Sequence, residues 1–200
     1  MRKFLIFLFV CILLISCYSV SILAGISGAE PPIAGQPLFI TNAGQGPGGK
    51  MARLLVIRSK AVEEWTYNAE PWEKDLNEKP YKTLLVIIGS SAKGLGASGI
   101  TIDDEIARLE RMIKEAKKLG MQIIAAQIEG KARRDNTGGP NERSIDAIAP
   151  FADHIIVKKD GNEDGRFTKI AEENKIPLTI IDETIDFVQV IEKMYPKSGE

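Results

Sequence analysis

From residue 37 onward the chain repeats one order: a short apolar or β-branched run, a glycine-rich loop, then a stretch with helical spacing. That alternation constrains the fold more than any other feature. Strands separated by helices must run parallel, cross over right-handedly and bury both faces of the sheet under helices. The runs fall at residues 37–41, 65–67, 83–88, 121–127, 154–157 and 177–181. The 83–88 run is almost wholly apolar, as a strand covered on both faces requires. Helices are expected over 50–62, 102–119, 142–148, 167–174 and 184–194, and 70–79 reads as a short helix or a loop. The 102–119 helix is the best marked. Thr101 can cap it, Asp103, Asp104 and Glu105 stand in its first turn, and Lys117 and Lys118 stand in its last. Ile106, Leu109, Ile113 and Ala116 form its apolar stripe, and Gly120 ends it.

The expected fold is a single α/β domain with a mostly parallel sheet and helices on both faces. Tyr81-Lys82 leading into 83–88 and then a Gly-Ser-Ser loop resembles the flavodoxin-like arrangement. This implies strand order 2-1-3-4-5 plus a sixth strand, with the Rossmann-like order 3-2-1-4-5-6 as the alternative.

The glycines are placed asymmetrically. Gly44, Gly46, Gly48 and Gly49 follow the first run; Gly89, Gly94, Gly96 and Gly99 follow the third; Gly130, Gly138 and Gly139 follow the fourth; Gly161 and Gly165 follow the fifth. These thirteen of the eighteen glycines all leave carboxyl ends of strands. Open parallel sheets bind ligands at those ends. The expected site therefore comprises Asn42, Gly44, Gln45, Gly46, Ser90, Ser91, Lys93, Gly94, Arg133, Arg134 and Asp164. Lys93, Arg133 and Arg134 can hold a carboxylate or phosphate.

Several chemistries find little material. Residues 44–49 match G-x-G-x-x-G, with Glu70 about twenty residues on, and read equally as G-x-x-x-x-G-K through Lys50. Met51 stands where the second motif needs Ser or Thr. Ser90 and Ser91 are the candidate nucleophiles, but His154 is the only histidine and opens the fifth strand, at the opposite end of the sheet. Asp160, Asp164 and Asp182 could form a carboxylate site, although Asp160–Gly165 lacks the spacing of a calcium loop. No catalytic residue, metal site or cofactor is assigned. The formal net charge of −1 gives no basic footprint for nucleic acid.

The first segment has a different character. Arg2 and Lys3 precede an apolar run from Phe4 to about Ile26, and Ser27-Gly28-Ala29 offers small residues to a signal peptidase. Leu14-Ile15-Ser16-Cys17 reads alternatively as a lipobox, and the run is long enough to span a bilayer if retained. The boundaries read 1–29 as signal peptide or membrane anchor, 30–36 as linker, 37–196 as the α/β domain and 197–200 as tail. Each version places the domain outside the cytoplasm, with membrane contact only through this segment. Both cysteines, Cys11 and Cys17, lie within it, so the remainder has neither disulfide nor thiolate ligand.

Four segments together, Ile40-Thr-Asn-Ala-Gly-Gln45, Gly89-Ser-Ser-Ala-Lys-Gly-Leu-Gly-Ala97, Glu129-Gly-Lys-Ala-Arg-Arg134 and Gly161-Asn-Glu-Asp-Gly165, resemble a family of exported bacterial α/β proteins classed as a domain of unknown function. The resemblance implies export and supports the choice of loops. It implies no reaction. The functional expectation is an extracytoplasmic binding module for a small anionic solute. The alternatives are a hydrolase or transferase using Ser90 or Ser91 with a carboxylate, and nucleotide or dinucleotide binding through 44–49.

Overall fold

The computed structural model describes residues 25–197. Residues 1–24, which hold Cys11, Cys17 and most of the segment read as signal peptide or membrane anchor, and residues 198–200 lie outside the described residues.

Seven strands form one sheet: β1 (Ile26–Gly28), β2 (Leu38–Ala43), β3 (Trp65–Tyr67), β4 (Thr83–Ile88), β5 (Gln122–Gln127), β6 (His154–Lys158) and β7 (Leu178–Ile181). Their order is β1-β7-β6-β5-β4-β2-β3. All neighbours run parallel except β1, which pairs antiparallel with β7. With the six parallel strands counted along the chain, this is the flavodoxin-like order with a sixth strand; the Rossmann-like alternative does not occur. The order reverses between β2 and β4, so their carboxyl ends form the switch point of the sheet.

Among the described residues six helices cover the faces of this seven-stranded sheet: α1 (Gly48–Ser59), α2 (Ala92–Ser98), α3 (Ile102–Lys118), α4 (Pro140–Ile148), α5 (Arg166–Asn174) and α6 (Phe187–Met194). The period of two along the strands separates two cores. Phe39, Leu84, Val86 and Ile88 join Leu109 and Ile113 of α3, Ile145 of α4 and Phe167 of α5 on one face. Leu38, Ile40, Leu85 and Ile87 join Val56 of α1 and Phe187 and Ile191 of α6 on the other. α3 carries the expected cap: Thr101 Oγ1 accepts from Asp104 N at 3.2 Å, and Asp104 Oδ2 accepts from Thr101 N at 2.9 Å.

The structure differs from the sequence reading in three places. α1 stops at Ser59 rather than at 62, where Lys60 turns left-handed with φ 54°. Residues 92–98, expected within a glycine-rich loop, form α2, capped by Ser91 Oγ accepting from Gly94 N at 3.1 Å. The sheet also begins at Ile26, ahead of residue 37 and inside the segment read as leader.

Candidate functional site

The loops leaving β2 and β4 are zipped together at the switch point. Gly89 N donates to Ala43 O at 2.9 Å, Gly46 N to Gly89 O at 2.9 Å, and Ser91 N to Gly44 O at 2.9 Å. Gln45 and Ser90 form an antiparallel bridge between them. The approach admits only glycine at 44: φ is +99°, and a Cβ there would stand 2.6 Å from Ser90 Cα. Gln45 itself adopts φ 58°, a region that costs an ordinary residue about 1–3 kcal/mol and persists only where its surroundings enforce it.

The enforcement comes from α3. Glu105 is wholly buried. Its Oε1 accepts from Gly44 N at 2.9 Å, and its two oxygens accept from Gln45 Nε2 at 3.2 and 3.3 Å. Arg108, also buried, answers that carboxylate with Nε to Oε2 at 2.9 Å and Nη2 to Oε1 at 2.8 Å. Its remaining N–H groups reach Asn42 O at 2.9 Å and Pro71 O at 3.1 Å. A buried ion pair is tolerable when its other lone pairs and protons are also bonded, and here four of the five guanidinium N–H groups have partners among the described residues. One Glu–Arg pair thus ties the loop after β2 and the segment after β3 to α3. The sequence reading had Glu105 only as a first-turn acid. Its signal was available, because Glu105 and Arg108 lie in register with Leu109, Met112, Ile113 and Ala116, on the buried stripe.

Beside this bracket lies a cleft of about 380 Å³, lined among others by Asn42, Gln45, Lys50, Glu70, Ser91 and Arg133, with Gly46 and Gly94 in its walls. Loops after β2, β4 and β5 all contribute. Lys50 is exposed in the first turn of α1 and has no ion-pair partner among the described residues. Arg133 donates from Nε to Glu129 Oε2 at 2.8 Å and from Nη1 to Ser90 O at 3.2 Å, leaving Nη2 unbonded among the described residues. Lys50 and Glu70 had been read only as parts of nucleotide motifs; here they face the same space as Arg133.

Glu129 was not among the expected site residues. α1 begins without a side-chain cap and without an acidic residue in its first turn. Glu129 supplies the missing negative charge from the loop after β5. Its Oε1 stands 2.7 Å from where a Cβ on Gly48 would be and 3.0 Å from the equivalent point on Gly89. That oxygen is buried and unbonded among the described residues.

The other expected residues are placed as follows. Ser90 is buried, its Oγ is closed from solvent, and its backbone N–H goes to Asn141 Oδ1 at 2.6 Å. Ser91 Oγ caps α2. Lys93 is exposed on α2, outside the cleft lining. Arg134 and Asp164 meet each other instead: Arg134 donates to Asp164 Oδ1 and Oδ2 at 2.9 and 2.6 Å, to Glu142 at 2.8 and 3.1 Å and to Gly161 O at 2.5 Å. Every edge of that guanidinium is used within the protein. The Arg134 hydrogen bonds hold the Asp164 carboxyl at a pKa of about 2. Asp160 pairs with Lys158 at 3.2 Å and Asp182 with Lys159 at 3.5 Å, and no group of three metal-ligating side chains occurs among the described residues.

His154 lies at the amino end of β6, in register with Ile124 of β5 and, through it, with Leu85 of β4. Ser90 is five residues beyond Leu85, roughly 17 Å along the strand direction. The imidazole is buried, and burial lowers its pKa to about 4. Its Nε2 contacts Thr179 Oγ1 at 2.7 Å, while Thr179 Oγ1 donates to Ala29 O at 2.7 Å. With that hydroxyl proton committed, Nε2 is the donor to Oγ1.

Among solved structures the chain is similar to the psychrotrophic esterase EstA from Pseudoalteromonas sp., in a form inhibited by monoethylphosphonate. The identity is 10%, over 79% of this chain and 93% of that one, with a TM-score of 0.39. It is also similar to TesA, at 14% identity over 72% and 77% of the two chains, with a TM-score of 0.35. A search of curated proteins finds no match. A family model matches residues 35–195, from just ahead of β2 to just past α6, and the chain accordingly belongs to the family of the domain of unknown function DUF6305.

Proposed function

We propose that this domain is a binding module for a small anionic solute and that it works outside the cytoplasm. The observation that carries the reading is the presence of two cationic side chains on one cleft at the switch point of the sheet: Lys50, and Arg133, whose Nη2 is unbonded among the described residues beside its pairing with Glu129; Glu70 lines the same cleft. Its volume of about 380 Å³ falls in the range of small-molecule sites, roughly 300–1,000 Å³. Asn42, Gln45 and Ser91 add polar groups that can orient a ligand between the two charges. Pre-organisation supports the same reading, because the strained Gln45 turn is fixed before any ligand arrives. The extracytoplasmic location rests on the basic and apolar leader.

A thermal-shift screen against organic acids, phosphates, nucleotides and flavins tests the reading. A ligand at about 100 times its Kd stabilises the folded state by about 2.7 kcal/mol. Lys50 is exposed and bonded to nothing among the described residues, so Lys50→Ala should leave Tm unchanged. It should also weaken an anionic ligand by about tenfold or more, the size of a charged hydrogen bond. A screen with no anionic hit, or an anionic hit indifferent to Lys50→Ala, would sink the proposal.

A further inference from the structure

One side of α1 faces away from the sheet with an unusual mixture of side chains. The helix turns Ala52, Val56 and Ser59 inward. On the opposite side Leu54 is 64% exposed and Ile57 is 47% exposed. Three residues apart, these two stand together on the crest of the helix. At about 100° per residue, Arg53 lies about 70° to one side of their midline and Arg58 about 70° to the other. Lys50 in the first turn and Lys60 at the C-cap close the two ends. All four cations are exposed, and none has an ion-pair partner among the described residues. The Arg53 guanidinium also lies over the Trp65 ring, 5.9 Å from its centroid. Residues 48–61 contain neither Asp nor Glu. The formal net charge of −1 conceals this concentration, because the acids that balance it stand elsewhere in the chain.

Two apolar side chains ringed by four unpaired cations suit one kind of surface. A stable protein interface buries about 800 Å² on each partner. Two side chains on a convex crest fall well short of that. A nucleic acid would answer the cations but leave Leu54 and Ile57 in water. The boundary of an anionic bilayer answers both. Apolar side chains enter the acyl region there, while flanking Lys and Arg lay their aliphatic stems along it and reach the headgroups with their charges.

We propose that α1 docks the domain on an anionic lipid surface through Leu54 and Ile57, flanked by Lys50, Arg53, Arg58 and Lys60. This contact is separate from any made by the N-terminal segment, and it stands whether or not the cleft binds a solute. The test is made on the full chain with a reporter that reads this face alone. Leu54→Trp places an indole on the crest, and brominated acyl chains quench an indole that enters the bilayer. Added quenching in Leu54→Trp over the parent chain is expected with vesicles of brominated phosphatidylglycerol, and not with vesicles of brominated phosphatidylcholine. Each cation near an anionic surface contributes about fivefold in binding. Arg53→Gln with Arg58→Gln in the Leu54→Trp chain should therefore raise the lipid concentration for half-quenching roughly 25-fold. An indole left unquenched on the anionic vesicles overturns the proposal, whether or not the chain sediments with them, because any attachment is then made by another part. Equal quenching by the two lipids, or quenching indifferent to the two arginine changes, overturns it as well.

Discussion

Single side chains decide what the carboxyl edge of this sheet can do. Glu105 and Arg108 shape it without touching the cleft, and each is tolerable only because of the other. Removing one partner leaves a buried charge, so Glu105→Ala should cost about 3–5 kcal/mol in chemical denaturation. A double change to Glu105→Leu with Arg108→Leu should cost less than the sum of the two single changes, with a coupling of at least 1 kcal/mol. Additive costs would show that the pair does not act as a unit. Ser90 is the opposite case: its hydroxyl is buried without a partner among the described residues, and the histidine lies at the other end of the strands. A binding module should leave its intact mass unchanged by a phosphonate that labels serine nucleophiles. A stoichiometric adduct on Ser90 or Ser91 would favour the hydrolase or transferase alternative.

At the scale of elements, the six parallel strands were legible, and their order was narrowed to two, because apolar runs of strand length, separated by helical spacing, admit few arrangements; β1, inside the segment read as leader, was not. The loops after β2, β4 and β5 were legible as a group from their glycines. What was not legible is how tightly those loops pack. α2 hides in a glycine-rich stretch because glycine disfavours helix, and its register is set by contact instead. A Cβ on Gly94 would stand 2.0 Å from Gln45 O, whereas one on Gly96 would meet nothing within 4 Å. Gly94→Ala should therefore destabilise the domain and push α2 away from the Gln45 turn. Gly96→Ala should stabilise it by about 0.5–1 kcal/mol through the ordinary helix preference. Urea midpoints of the two variants moving in the same direction would contradict this account. Arg134 and Asp164 read in the sequence as charged loop residues, and spacing alone does not show that they neutralise each other across 30 residues.

Over the whole molecule, His154 and Asp164 are displaced furthest among the groups that titrate in acid, while hydrogen bonds from Thr101 and Asn77 also hold the Asp104 and Glu115 carboxyls below their usual range. Burial lowers the His154 pKa from 6.5 to about 4. The unfolded chain therefore binds a proton below pH 6.5 that the folded chain refuses until about pH 4. Stability is full above that window and falls as pH drops through it, by at most about 1.4 kcal/mol per pH unit. Asp164 shifts from 3.8 to about 2 because of Arg134, so its contribution is present above pH 3.8 and is lost as pH falls towards 2. Unfolding free energies measured from pH 8 to 2 should show both declines. His154→Gln should flatten the upper one and change ligand affinity by no more than a few-fold, since the ring stands at the far end of the sheet from the cleft. An unchanged slope above pH 4 would show that His154 is not the group responsible.

The edge pairing of β1 with β7 has a consequence in time. The Thr179 hydroxyl that donates to Ala29 O is 150 residues further along the chain. At roughly 5–20 residues per second of synthesis, the partner of β1 appears about 8–30 s after β1 itself. The first strand made is thus among the last to find its place. The parallel strands can assemble as they appear, but this antiparallel edge stays open until almost the whole chain exists. A chain interrupted before β7 would display an unpaired strand, a recognisable mark of incompleteness for any quality-control factor that binds extended backbone.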